Sequence, residues 1–353
     1  MVRTESLQIT GEMLSLIGEI DEFKGAWRAL GTLAPERLRS LRRVATVESV
    51  GSSTRIEGAK LSDREVEALL GRIGVQSLLT RDEQEVAGYA AVMETIFANH
   101  DAIPITENYI LQLHTRLLST SERDERHRGR YKVMPNRVEA FDASGRSLGV
   151  IFETSTPFDT PRHMRELIEW FASARRPGGA HPLVATGVFV VEFLAIHPFQ
   201  DGNGQLSRAL TTLLLLQAGY AYVPYSSLES IIEQNKEEYY LALRRTQLTL
   251  RSDAPDSTPW LTFFLRALQS QKRRLEEKVE RERIMRSALP ELSVGVLELL
   301  MRHESASVAE VVRATGAPLG TVKKRLRELA AAGHILPVGK GRSTRYVLGR
   351  PPA

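Results

Sequence analysis

A mainly α fold carrying a small basic module at its C-terminal end is what the sequence predicts, and three observations carry the prediction. Apolar residues recur at three- and four-residue spacing through most of the chain, the signature of amphipathic helices. Two almost wholly apolar segments, 183–196 and 205–218, flank a short polar loop, as buried helices around a site would. From Pro290 onward, three short helical periods precede two β-rich runs, and that stretch holds ten Lys/Arg against five Asp/Glu, while the remainder holds 37 against 38. All of the basic excess therefore lies in a separate C-terminal piece, as a module meeting an anionic partner would show.

The elements follow in order. The spacing predicts helices over 7–30, 35–50, 62–70, 81–99 and 107–118. Ser62 with Glu65 forms a capping box at the start of the third. Residues 133–158 mix β-branched and aromatic side chains around Asp142-Ala143-Ser144-Gly145, which reads as a β-hairpin. A hairpin alone is marginal, so this one packs on the body or serves as a docking edge. A Pro/Gly-rich loop at 175–182 precedes the apolar helix 183–196, which Pro198 ends, and Gly219 stops the helix 205–218. A helix over 260–286 becomes highly charged in its second half. Helices at 292–302, 307–315 and 319–332 are followed by strands 335–338 and 345–348 around Gly339-Lys340-Gly341-Arg342, a winged helix-turn-helix pattern.

Composition narrows the class. The hydrophobic and charged fractions, 42% and 25%, are those of a globular protein, and no apolar run approaches the roughly 20 residues that span a bilayer. The first residues lack a basic start followed by an apolar stretch, so a cytoplasmic protein with no membrane partner is the expectation. Without a cysteine, disulfides and thiolate chemistry are excluded.

The chemistry concentrates between the two apolar helices, in His197-Pro198-Phe199-Gln200-Asp201-Gly202-Asn203-Gly204. Gly202, Asn203 and Gly204 lead straight into a helix whose free N–H groups and positive dipole end suit a phosphate. Asp201 beside them can hold Mg²⁺ shared with phosphate oxygens. His197 can take a proton from an attacking hydroxyl. Arg208, one turn into the helix, can fork onto a phosphate.

The run His197–Arg208, HPFQDGNGQLSR, resembles the signature of the Fic (Fic/Doc) proteins, HPFx(D/E)GN(G/K)RxxR. The resemblance covers roughly residues 7–268 and implies a Fic helical bundle with a β-hairpin flap, to which the C-terminal winged helix-turn-helix is appended. The expected organisation is an N-terminal helical region at 1–100, a catalytic domain at 101–268, a linker helix at 269–289 and the winged helix at 290–353. The implied activity is transfer of AMP from ATP, with Mg²⁺, to a Ser, Thr or Tyr hydroxyl of a target protein or of the chain itself. His197 would be the general base and Asp201 the metal ligand. Gly202, Asn203 and Gly204 would hold the α-phosphate, Arg208 the outer phosphates, and Phe199 would anchor the loop. The target segment would add as a strand to the flap at 133–158.

The sequence departs from the pattern at Gln205, where the family has arginine. Losing a cationic phosphate ligand costs about 1.5–3 kcal/mol, so this position bears on which phosphate-containing group is moved. Ser53-Thr54-Arg55-Ile56-Glu57-Gly58 matches the family's inhibitory motif, (S/T)xxxE(G/N). Ser53 is expected to start a short helix presenting Glu57, with Gly58 turning the chain away, and Glu57 to pair with Arg208 against ATP. Asn235 and Tyr239 resemble a segment lining the adenine side. The alternatives are a catalytically weakened, nucleotide-sensing transcriptional regulator and a transferase of another group. For the C-terminal module, helix 319–332 with Lys340, Arg342 and Arg345 suits a DNA backbone. The competing uses are a homodimer contact or docking of a target protein.

Overall fold

The computed structural model of the chain describes residues 7–29, 35–73, 77–141, 147–303, 305–339 and 344–349. It forms two compact units, one of Met1–Thr32 with Leu41–Arg273, the other of Leu33–Ser40 with Arg274–Ala353.

The chain opens with α1 (Gly11–Ala29), α2 (Pro35–Ile56), whose residues from Leu41 onward belong to the first unit, α3 (Asp63–Leu70), α4 (Arg81–Asn99) and α5 (Glu107–Leu117). The expected capping box of Ser62 and Glu65 is formed at α3, and Thr80 with Glu83 forms a second at α4. Next come the strands β1 (Arg137–Phe141) and β2 (Ser147–Glu153), then α6 (Thr160–Ala174), α7 (Pro182–Ile196) and α8 (Asn203–Gln217). A single turn at Val223–Tyr225, α9 (Leu228–Gln234), α10 (Lys236–Gln247) and α11 (Thr258–Ala288) complete the order. Unit boundaries fall within α2, at Ser40/Leu41, and within α11, at Arg273/Arg274.

At the centre is the α7–loop–α8 hairpin. Every residue of α7 from Leu183 to Ile196 is buried, because a helix apolar on all sides has no face to give to water. α6 and α8 pack against it, and α4 packs on α8. The core gathers Phe171, Phe189, Phe193, Phe199, Leu206 and Leu210 from these elements. Pro182 starts α7, where its missing N–H costs nothing, and His197 closes it in the left-handed conformation at φ 51°. Among the described residues His197 is the one non-glycine with positive φ.

The expected hairpin is present but shorter than 133–158. β1 and β2 pair antiparallel from Arg137↔Glu153 to Phe141↔Ser147, with register shifts after Val138 and after Ala140. The turn Asp142–Gly145 lies outside the described residues. One expectation is overturned. Ser53 does not begin a helix: α2 continues past Val50 to Ile56, so Ser53 occupies its last turn and Glu57 follows directly. The Thr54 hydroxyl, donating to Val50 and Gly51 carbonyls, is satisfied within the helix and so does not stop it earlier.

The second unit holds α12 (Glu291–His303), β3 (Ala306–Ser307), α13 (Val308–Thr315), α14 (Leu319–Ala331), β4 (Ile335–Val338) and β5 (Arg345–Leu348). β5 is the middle strand, antiparallel to both β3 and β4. Val296, Leu300, Val311, Val322, Leu326 and Ile335 make a core of its own. No helix among the described residues is long and apolar enough to cross a membrane.

Candidate active site

The loop between α7 and α8 is locked by its own side chains. The Asn203 amide nitrogen donates to the Phe199 carbonyl at 2.8 Å, and its oxygen accepts from the Phe199 N–H at 2.9 Å. Asp201 Oδ1 accepts from the Gly202 N–H at 2.7 Å. Gly202 sits at φ 77°, a conformation that a Cβ would strain, and this lets α8 begin at Asn203, two residues before the sequence suggests. The first N–H groups of α8 thus face the cleft with no side-chain cap, a ready anion site.

His197 Nδ1 lies 3.3 Å from the Leu194 carbonyl. A carbonyl can only accept, so Nδ1 carries the proton and Nε2 keeps its lone pair. Burial pushes the His197 pKa down to about 4, the Leu194 carbonyl opposes the shift and nearby Lys132 adds to it. The imidazole is therefore neutral at pH 7, the form a proton acceptor needs. Asp201 is shifted the other way: burial raises its pKa, while the Gly202 N–H holds the carboxylate form.

Arg208 is almost fully buried and triply engaged. Its Nε donates to Ser53 Oγ at 2.9 Å, and Nη2 donates to the Ser53 carbonyl at 2.9 Å and to Glu57 Oε1 at 2.7 Å. Burial disfavours the charged guanidinium, but Glu57, helped by Tyr239 and Tyr89, opposes this and the net shift is upward. The Glu57 carboxylate also overhangs the loop, since a Cβ placed on Gly204 would lie 2.1 Å from Glu57 Oε1. A carboxylate thus occupies the space above the α8 N-terminus. The surrounding cleft is lined among others by His197, Asp201, Gly204, Gln205, Arg208 and Tyr239.

Residues 104–215 match the sequence profile of the Fic/DOC family. The chain carries a Fic/DOC domain. A curated relative named protein adenylyltransferase Fic, from Drosophila mojavensis, is 27% identical over 251 residues, covering 68% of this chain and 46% of the relative. The namesake from Drosophila virilis is 25% identical over 300 residues, covering 82% and 56%. The chain spans about half the length of the curated relatives it matches. Among solved structures, a Fic family protein from Desulfovibrio desulfuricans G20 is similar with a TM-score of 0.63 and 25% identity over 98% of both chains. Fic-1 from C. elegans, at 19% identity and a TM-score of 0.58, covers 77% of this chain and 72% of its own and shares the fold.

The structure brings together His197, Asp201, Gly202, Asn203, Gly204, Gln205 and Arg208 of the Fic/DOC domain with Glu57 and Tyr239 from outside it around one cleft. Ser53 joins through Arg208, and Gly58, at φ 109°, turns the chain out of α2. Asn235 does not line the cleft: its amide donates to the Ile231 carbonyl at the end of α9. Tyr240 and Leu243 lie there beside Tyr239.

Sequence reasoning missed the scaffold behind the loop. His114 is fully buried, stacks on Phe199 at 3.7 Å between ring centres, accepts from the Gly129 N–H at Nδ1 and places Nε2 3.0 Å from the Asp201 carbonyl. Because Nδ1 accepts, Nε2 must donate, so the ring is neutral and pins Asp201. Lys132 donates from Nζ to Asn136 Oδ1, Thr154 Oγ1 and the Ile196 carbonyl. Asn136 in turn donates to the Phe199 and His197 carbonyls. The residues flanking β1 and β2 are thereby knotted to the loop. Arg81 at the start of α4 also reaches it, donating from Nη2 to Asp201 Oδ2 at 3.2 Å.

Proposed function

We propose that the chain is an Mg²⁺-dependent protein adenylyltransferase that moves AMP from ATP to a Ser, Thr or Tyr hydroxyl of a target protein or of itself, and that Glu57 holds it in check. The observation that carries this is the Glu57 carboxylate on Arg208 above Gly204: a tethered anion fills a site shaped for phosphate. Residues 202–204 would hold the α-phosphate on the α8 N-terminus, and Arg208 the outer phosphates once Glu57 withdraws. His197 Nε2 would take the hydroxyl proton as the oxygen bonds to the α-phosphorus and pyrophosphate leaves. Anionic phosphate next to the imidazole raises its proton affinity, which suits a base whose resting pKa is low. Asp201 lines the cleft beside the α8 N-terminus, and its carboxylate would hold Mg²⁺ shared with phosphate oxygens. The target segment would lie along the hairpin of β1 and β2.

Intact mass after incubation with Mg²⁺ and each nucleoside triphosphate tests the reading. An added AMP mass is expected for Glu57→Gly, less for the parent, and none for Glu57→Gly/His197→Ala. No nucleotidyl mass on Glu57→Gly, with itself or a cell extract as acceptor, would leave the nucleotide-sensing alternative; a different added mass would identify the other transferred group.

A second observation supports a DNA role for 290–353 as a winged helix. Lys323, Lys324 and Arg327 are exposed on α14, while Val322, Leu326 and Leu329 are buried beneath. Lys340 and Arg342 lie outside the described residues, and Arg345 is engaged internally by Ser305 and Glu310. Affinity for duplex DNA that falls steeply with salt, and with Lys323→Glu/Lys324→Glu, is the expected result; salt-independent self-association instead would favour the homodimer.

A further inference from the structure

The cleft has an unusual charge inventory for a phosphate site. Its lining contains four carboxylates, those of Glu57, Glu85, Asp124 and Asp201, but among the described residues two guanidiniums, Arg208 and Arg81. Gln205, at the position where the motif has arginine, adds no charge.

Arg81 is poorly explained as a helix residue. It is the first residue of α4, at the positive end of the helix dipole, where acids are favoured and cations are not. Asp82, Glu83 and the Thr80–Glu83 capping box complete that terminus without it. Its i,i+4 pair with Glu85 runs in the weaker order, cation before acid. The Arg81 side chain is 53% exposed, so as a surface ion pair it adds little stability. Its placement over the loop is nonetheless fixed at two points. Nε donates to Glu85 Oε1 at 2.7 Å, and Nη2 donates to Asp201 Oδ2 at 3.2 Å. Nη1 has no protein partner among the described residues, so the outer edge of the fork is open to the cleft it lines.

We propose that Arg81 is a second phosphate-binding guanidinium, supplying from α4 the positive charge that Gln205 does not bring from α8. Glu85 acts as its tether, keeping the fork beside the loop if its bond to Asp201 opens. This inference rests on the nucleotide reading of the cleft.

The test is calorimetric binding of ATP with Mg²⁺ to the full chain carrying His197→Ala and Glu57→Gly, so that neither turnover nor the tethered carboxylate intervenes. Arg81→Gln in that background is expected to weaken ATP about ten-fold, the loss of one charged hydrogen-bonding ligand, and Arg81→Lys less. Gln205→Arg is expected to raise the affinity more in Arg81→Gln than in the background that keeps Arg81, a non-additivity that a merely structural Arg81 would not give. ATP affinity within two-fold of the background in Arg81→Gln, or an equal gain from Gln205→Arg with and without Arg81, overturns the proposal while leaving the nucleotide reading intact. No ATP binding by the background protein overturns both.

Discussion

Replacing Glu57 by Gln removes one charge and little volume, and its effect can be worked out from the Arg208 contacts. Leaving a buried charge without its partner costs about 3–5 kcal/mol when the pair is fully enclosed. Here the Glu57 side chain is 37% exposed, and Arg208 keeps both of its bonds to Ser53. Water screens the pair and two acceptors remain, so a loss of about 1–2 kcal/mol is expected. For a unit of this size each kcal/mol moves the melting temperature by about 2–4 °C, and Glu57→Gln should therefore melt about 2–8 °C below the parent without nucleotide. Phosphate that reaches Arg208 need not displace a carboxylate in the variant. Saturating Mg·ATP, worth about 2.7 kcal/mol at a hundred times Kd, should accordingly raise the variant's melting temperature more than the parent's and close the gap. Differential scanning fluorimetry with and without Mg·ATP measures both. A variant as stable as the parent without nucleotide, or one that gains no more from ATP, would refute the argument that carboxylate and phosphate compete for the same guanidinium.

Three further outcomes are expected. Phe199→Ala removes a fully buried ring stacked on His114 and should cost about 3–5 kcal/mol in urea unfolding. Lys132→Met removes a donor from three oxygens, of which Asn136 Oδ1 keeps the Thr154 hydroxyl; a loss of about 1–3 kcal/mol is expected, with a fall in kcat beyond what the unfolded fraction explains, checked by melts alongside turnover. Burial lowers the pKa of both His114 and His197 to about 4 from 6.5. The unfolded chain then binds protons that the folded one does not, so stability falls as pH drops from 6.5 towards 4. For fully buried His114 the effect is on the order of 3 kcal/mol. His114→Gln should flatten the pH dependence of the melting temperature across that window, and an unchanged slope would show that the histidine does not carry it.

The helical hairpin that frames the site was legible because its residues answer to local rules. A helix apolar on every face has only the interior to occupy, and Pro182, Pro198 and Gly219 mark its neighbourhood. The loop was legible because anion binding needs glycine and a helix start in sequence order. What the sequence does not display is long-range satisfaction of polar groups. His114 is 87 positions from the carbonyl it holds, and Lys132 is 64 from Ile196; neither carries a local pattern. Arg81 reads as an ordinary charge at a helix start until Asp201 appears beside it. The misplaced boundary at Ser53 has the same origin. Ser, Thr and Gly near 50–54 look like a helix terminus, but Ser53 is spoken for by Arg208, and Arg55 is held by Glu233 and Asp63 from neighbouring helices. Tertiary partners carry α2 one turn further than propensity alone would.

Because Glu57 and Arg208 belong to one chain, their meeting is a unimolecular event with a fixed local concentration. For segments held this close that concentration is on the order of millimolar or above, and diluting the protein does not change it. A diffusing nucleotide has no such constancy. Under the proposed reading, the fraction of open sites follows the supply of ATP and is indifferent to the abundance of the enzyme, so the contact acts as a threshold written into the backbone.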